Sequence, residues 1–131
     1  MPGQDGEVAA RTGLSLRTVR YYDSVGLVAP SGRTEGGFRL YTEPDVQRLL
    51  LVRSLKPADF SLEQLEEIVT LRDVVVGGRA PVEVVSRSEA IIADASHRIR
   101  LQRERLVAAE LAVELLRTTL SQAVAPAPRD R

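Results

Sequence analysis

A chain of 131 residues with eighteen basic and eighteen acidic side chains has no formal net charge, and 44% of it is hydrophobic. That length fits one globular domain plus one extension. Cysteine is absent, which excludes disulfides, thiolate metal sites and thiol redox chemistry, and the single His97 cannot build a metal site alone and reads as a surface residue.

The predicted elements begin with two short helices in residues 6–27, GEVAARTGLSLRTVRYYDSVGL. The first is expected to start after Asp5 as its cap and to stop at Gly13, where glycine relieves left-handed strain. Ser15 is expected to cap the second by accepting a bond from an orphan amide, worth about 1 kcal/mol. That helix runs to about Ser24 and stops at Gly26. Two helices around a tight glycine turn are how a compact protein presents a helix to the DNA major groove. Leu16, Val19 and Tyr22 form its inward stripe. Arg17, Thr18, Arg20 and Tyr21 fall off that stripe and point outward. Forked arginine donors suit guanine edges or phosphates, and hydroxyls can bond phosphate oxygens. Taken alone, the arginines could equally solvate an exposed helix.

Residues 30–41, PSGRTEGGFRLY, predict a β-hairpin bent at Gly36-Gly37, since a tight hairpin needs positive φ angles. Period-two alternation separates Phe38 and Leu40 from Arg39 and Tyr41. A helix-turn-helix followed by a basic hairpin is a winged helix, whose wing can brace Arg39 and Arg33 against the DNA backbone; the alternative is a hairpin that only covers the core. Thr42 is the expected cap of a third helix, with Pro44 in its first turn and Glu43 and Asp45 near its positive end. Val46, Leu49 and Leu50 face inward. Pro57 disfavours helical geometry at Lys56 and should end this helix near Leu55. Ser61 and Gln64 have capping-box spacing for a fourth helix, whose apolar face is Leu62, Leu65, Ile68, Val69 and Leu71. Val74–Gly78 reads as a hinge-like connection.

The run RTVRYYDSVGLVAP…GFRLYTEPDVQRL resembles the DNA-binding domain of the MerR family of bacterial transcription regulators. The R-x-x-R-Y-Y-D-x-x-G-L segment and the G-F-R-L-Y wing carry the likeness, which extends through Phe60–Leu65 and is strong over residues 6–72. It implies that Arg17, Thr18, Arg20 and Tyr21 touch DNA from the recognition helix and Arg39 from the wing. Ser15 and Arg33 complete the DNA-facing set, with Tyr22, Phe38 and Tyr41 as its structural support. Two departures stand out. Members usually begin with a short apolar strand, here absent or replaced by Met1–Asp5, so the first helix is expected to fray. Members also commonly read Leu-Gly before Phe-Ser-Leu, where this chain has Lys56-Pro57-Ala58-Asp59. The cysteine-borne metal and redox sensing of better-known members is excluded by composition.

From Pro81 to Gln122 there is neither glycine nor further proline. Val85, Ser88, Ile92, Ala95, Ile99, Gln102, Leu106, Ala109, Val113, Leu116 and Leu120 alternate in steps of three and four. That is a heptad seam with charged flanks. A helix of about forty residues extends roughly 60 Å and cannot bury such a seam against its own small domain, so a homodimer is expected. The resemblance implies an antiparallel coiled coil. The polar Ser88 and Gln102 would fix register or mark where the helices part. The tail AVAPAPRDR is expected to be disordered.

The fold expected is mainly α: a winged helix-turn-helix DNA-binding domain with a small β-hairpin wing, followed by a long antiparallel coiled-coil dimerisation helix. Its parts are a DNA-binding domain over 1–73, a hinge over 74–80, a dimer helix over 81–122 and a tail over 123–131. Residues 1–56 carry eight basic and six acidic residues and the remainder ten and twelve. Binding would therefore rest on a few placed arginines and depend on salt only moderately. The function expected is a transcription regulator that binds double-stranded, roughly palindromic promoter DNA as a homodimer. The resemblance implies that it distorts this DNA so that RNA polymerase holoenzyme can use the promoter. No cofactor is expected. An effector could be absent, a small apolar ligand, or a protein. Two rival classes stay open, an excisionase-like architectural protein and a coiled-coil adaptor. No catalytic constellation is evident, no run of membrane-spanning length and no signal peptide is visible, and the setting expected is the cytoplasm, at the nucleoid.

Overall fold

The structure is a computed structural model that describes residues 3–124. The chain divides into two compact units, one running through Ala93 and the other starting at Asp94.

The first unit opens with α1 (Asp5–Thr12) and α2 (Leu16–Ser24), joined by a turn at Gly13. Gly13 has φ 71°, a conformation a side chain would strain, and its N–H bonds the carbonyl of Ala9 at 3.0 Å. Asp5 is not the cap expected of it. It is the first residue of α1, preceded by Gln4, which caps with no side-chain bond. Its carboxylate is spent on distant arginines described below. Nor is the chain before α1 loose: Gly3 forms an isolated antiparallel bridge with Tyr41, with both N–H···O bonds at 2.7 Å. That bridge ties the start of α1 to the wing.

The hairpin is small. β1 (Gly32–Arg33) and β2 (Arg39–Leu40) pair antiparallel, with Gly32 opposite Leu40 and Arg33 opposite Arg39. Thr34 donates its N–H to Phe38 and accepts from Gly37, so the bend closes over residues 35–37. Gly37 alone of the glycine pair takes a positive φ, 84°. The expected alternation breaks here. Phe38 belongs to the bend rather than to a paired strand and is 63% exposed, so it is not an inward support. Tyr41, beyond β2, turns into the core instead.

α3 (Glu43–Leu55) carries the capping box at its start: Thr42 Oγ1 accepts from the N–H of Asp45, and Asp45 accepts from that of Thr42. It ends at Leu55 as expected, but not for the expected reason. Lys56 keeps helical angles (φ −53°, ψ −42°) despite Pro57, and the chain tightens into a 3-10 turn over Lys56–Ala58. What stops it is Asp59, left-handed at φ 60°. α4 (Leu62–Val76) starts with the second capping box, Ser61 with Gln64. It runs past Leu71 to Val76, so Val74–Val76 is helix rather than connection, and the chain turns only at Gly77 and Gly78. The core gathers Val8, Val19, Tyr22, Val28, Tyr41, Val46, Leu49, Val52, Leu65 and Val69 from all these elements. Full burial of a Val or Leu contributes about 1.5–3 kcal/mol. An apolar groove lined by Leu51, Ile68, Leu71, Val75, Ile91 and Ile92 stays open on this unit.

α5 (Val82–Ala123) is 42 residues long and buries no residue fully. The residues of the expected tail beyond Val124 lie outside those described.

Candidate nucleic-acid interface

α2 is held at its start by Ser15, whose Oγ accepts the N–H of Thr18 at 3.0 Å and donates to Thr18 Oγ1 at 2.8 Å. Val19 and Tyr22 turn into the core, which leaves Arg17, Arg20 and Tyr21 exposed on the other side. Tyr21, 52% exposed, leans on Tyr22 with ring centroids 5.9 Å apart. Burial, helped by Tyr21, pushes the Tyr22 phenol up from its ordinary range.

The arginines differ in how they are held. Arg17 makes no hydrogen bond or ion pair among the described residues. Arg20 Nε donates to Asp5 Oδ2 at 3.0 Å. On the wing, Arg33 Nη2 donates to Asp23 Oδ2 at 3.1 Å, and Arg39 Nε reaches the same oxygen at 2.6 Å. Arg39 Nη1 also lies 3.5 Å from Asp5. Three guanidiniums and two carboxylates thus link α1, α2 and both wing strands. Their exposure is graded: the side chain of Arg20 is 52% and that of Arg33 49% exposed, against 27% for Arg39. The bond from Asp23 comes first among the causes that raise the Arg39 guanidinium further. Burial pushes the Asp5 carboxyl up, but Arg20, the Gly6 N–H and Arg39 outweigh it and leave it below the usual carboxylate range.

A third carboxylate fixes the base of the wing. Asp45 is buried and accepts from Ser31 Oγ at 2.7 Å, Ser31 N at 3.0 Å, Thr42 N at 2.9 Å and Arg48 Nη1 at 2.7 Å. Burial pushes its carboxyl up, yet the bonds from Ser31 and Thr42 win and hold it low. Tyr41, also buried, has a hydroxyl with no partner among the described residues, and burial with the nearby Asp23 charge takes its phenol to about 12.

The comparison that decides the family covers this same region: residues 6–71 match the MerR HTH family of regulatory proteins. The chain belongs to the MerR family. Among curated relatives, it is 43% identical over 67 residues to the HTH-type transcriptional regulator ZntR of Escherichia coli K12, covering 51% of this chain and 48% of that protein. The HTH-type transcriptional regulator CueR of Salmonella typhi is 40% identical over 65 residues. The chain spans about half the length of the curated relatives it matches. Among solved structures, HiNmlR, a MerR family regulator lacking the sensor domain and bound to promoter DNA, is similar at TM-score 0.68 and 25% identity. That match covers 92% of this chain and 89% of the other. MtaN, the N-terminus of the Bacillus subtilis multidrug transporter activator, is similar at TM-score 0.57 and 27% identity, over 90% and 98% of the two chains. The winged helix-turn-helix with a long C-terminal helix is therefore the MerR architecture.

The structure brings Ser15, Arg17, Thr18, Arg20 and Tyr21 together on α2 and sets Arg33 and Arg39 beside them on the wing. Tyr22 and Tyr41 underlie that face, whereas Phe38 does not. Asp5 and Asp23 are the members that sequence reasoning missed. An acid inside an otherwise basic helix, Asp23 of R-Y-Y-D, was the available signal. On α5, Val85, Ile92, Ile99, Leu106, Val113, Leu116 and Leu120 are all between 41% and 68% exposed. Ala109 is exposed and Ala95 half-buried, while the exposed Leu111 and Leu115 lie on the other side of the helix from this seam. His97 is exposed. No helix among the described residues is long and apolar enough to cross a membrane.

Proposed function

We propose that this chain is a homodimeric transcription regulator that inserts α2 into the major groove of promoter DNA. Arg17 would read a base edge or phosphate there. Thr18, Arg20 and Tyr21, with Ser15 at the helix start, would hold the backbone, and the wing would lay Arg33 and Arg39 alongside. One observation carries the reading: a capped helix whose outward face offers Arg17, unpaired among the described residues, next to exposed Arg20 and Tyr21, beside a wing moored to that helix through Asp23. The promoter-bound state of the similar HiNmlR supports it.

In this reading the winged domain through α4 binds DNA, 77–81 connect, and α5 dimerises through an antiparallel coiled coil. The support is physical. An exposed heptad seam and an open apolar groove leave more apolar surface than a monomer usually keeps uncovered, and a second copy is the commonest cover. Two recognition helices on a twofold axis want a palindromic site on one face of the duplex. Bending and untwisting that site costs several kcal/mol, roughly, which the protein–DNA contacts offset. RNA polymerase holoenzyme would then engage the reshaped promoter, which places the protein with DNA in the cytoplasm.

The test combines footprinting and a bending assay on the DNA upstream of the gene with the oligomeric state in solution. A protected palindrome, a bend and a dimer are the expected results. Ile99→Glu with Leu106→Glu should give monomers that lose the footprint, because both residues lie exposed on the seam and outside the core. A monomeric wild type, or binding indifferent to sequence and free of distortion, would refute the reading.

A further inference from the structure

The acidic members of the interface stand out, because a DNA-facing surface gains nothing obvious from carboxylates. Asp5 and Asp23 lie where phosphates would approach Arg20, Arg33 and Arg39, and one oxygen of each, Oδ2, is already shared by two guanidiniums. We propose that Asp5 is a specificity-determining positioning residue: it holds Arg20 in the place a cognate site requires and repels phosphates that arrive in any other arrangement. Asp23 does the same for Arg33, while also keeping Arg39 as a strut of the wing.

Two physical effects point the same way. A long guanidinium side chain free in solution must be ordered before it can meet a fixed partner, and a pre-placed one avoids much of that cost. Only a cognate complex demands a fixed place, so only cognate binding gains. The carboxylate also lowers the local positive charge, and that charge drives sequence-independent attraction to the duplex. Non-specific binding is therefore weakened. Holding Arg20 does not use it up, because the bond to Asp5 is made by Nε and the side chain is half exposed, which leaves the Nη end to meet DNA. Arg39 differs. Less exposed and held at 2.6 Å, it stays with Asp23.

The proposal rests on the DNA-binding reading above. Its test uses the full chain, a duplex that the wild type selects from a random library, and a shuffled duplex of equal length. Asp5→Asn should tighten binding to the shuffled duplex and weaken binding to the selected one. With two copies per dimer, the ratio of the two affinities should fall by at least about five-fold. Asp5→Glu, which keeps the charge within reach of Arg20, should restore it. In an Arg20→Gln background Asp5→Asn should no longer weaken binding to the selected duplex, while still tightening binding to the shuffled one. Should Asp5→Asn fold poorly, Arg20→Gln alone keeps the idea falsifiable, since it leaves the core untouched and must itself lower the ratio. A wild type that selects no duplex at all sinks the DNA-binding reading. A wild type that selects one while Asp5→Asn leaves the ratio unmoved, or while Asn and Glu act alike, overturns this proposal alone.

Discussion

Arg17→Ala isolates the recognition contact from the stability of the fold. The side chain is exposed and has no partner among the described residues, so its removal should leave unfolding free energy unchanged within about 0.5 kcal/mol. Its effect on DNA depends on what it touches. A bidentate contact to a guanine edge is worth about 1–3 kcal/mol of discrimination. Two copies in a dimer make that about 2–6 kcal/mol, or about 30-fold to 20,000-fold in affinity for the cognate site. A contact to phosphate would instead weaken all sequences alike and lower the salt slope by about 0.9 per copy. Fluorescence anisotropy with cognate and shuffled duplexes, each titrated over a range of salt, separates the two. Unchanged affinity on both duplexes would refute the placement of α2 in the groove.

Two further outcomes follow from buried polar groups. Asp45→Asn leaves one acceptor oxygen for the three donors on Oδ2 and sets an NH2 against Arg48 on the other side, or the reverse, and should cost about 2–4 kcal/mol by urea denaturation. Because folding lowers the Asp45 carboxyl below its unfolded value, the wild type should keep this stabilisation above about pH 4 and lose it as pH falls through the folded value. The Asp45→Asn variant should show a shallower acid limb; parallel curves would contradict the assignment. Tyr41→Phe removes a buried hydroxyl that lacks a partner among the described residues, and should leave stability equal or raise it by up to about 1 kcal/mol. A clear loss would mean that the hydroxyl is satisfied.

What the sequence made legible was local chemistry. Ser15, Thr42 and Ser61 each cap a helix by accepting the N–H three residues on, a bond set by spacing alone. Gly13 is legible for the same reason, since a left-handed helix end excludes most side chains. The misreadings arise where packing or geometry beyond a few residues decides. Val74–Val76 looked like a connection because three β-branched residues precede a glycine pair. Yet Val75 lies on the apolar groove with Leu71, and that surface carries the helix onward. Phe38 and Tyr41 defeated the period-two rule because each strand of the hairpin is only two residues long. Alternation has no hold where the chain is not paired. At Lys56 the bias that proline imposes on its predecessor was overridden, and a 3-10 turn, which tolerates the missing N–H, took up the strain.

The binding face was legible as an inventory of arginines and illegible as an electrostatic object. Asp5 meets Arg20 across fifteen positions and Asp23 meets Arg39 across sixteen, separations that no periodicity reports. Counting cations on α2 and the wing gives four, but only Arg17 is free of carboxylates among the described residues. Arg20 and Arg33 are shared, and Arg39 is committed to the fold. A face so arranged holds little surplus charge to drive indiscriminate binding, in keeping with a chain whose formal charge is zero. Whatever selectivity such a protein has must come from where its few cations stand. The two aspartates are what fix those places.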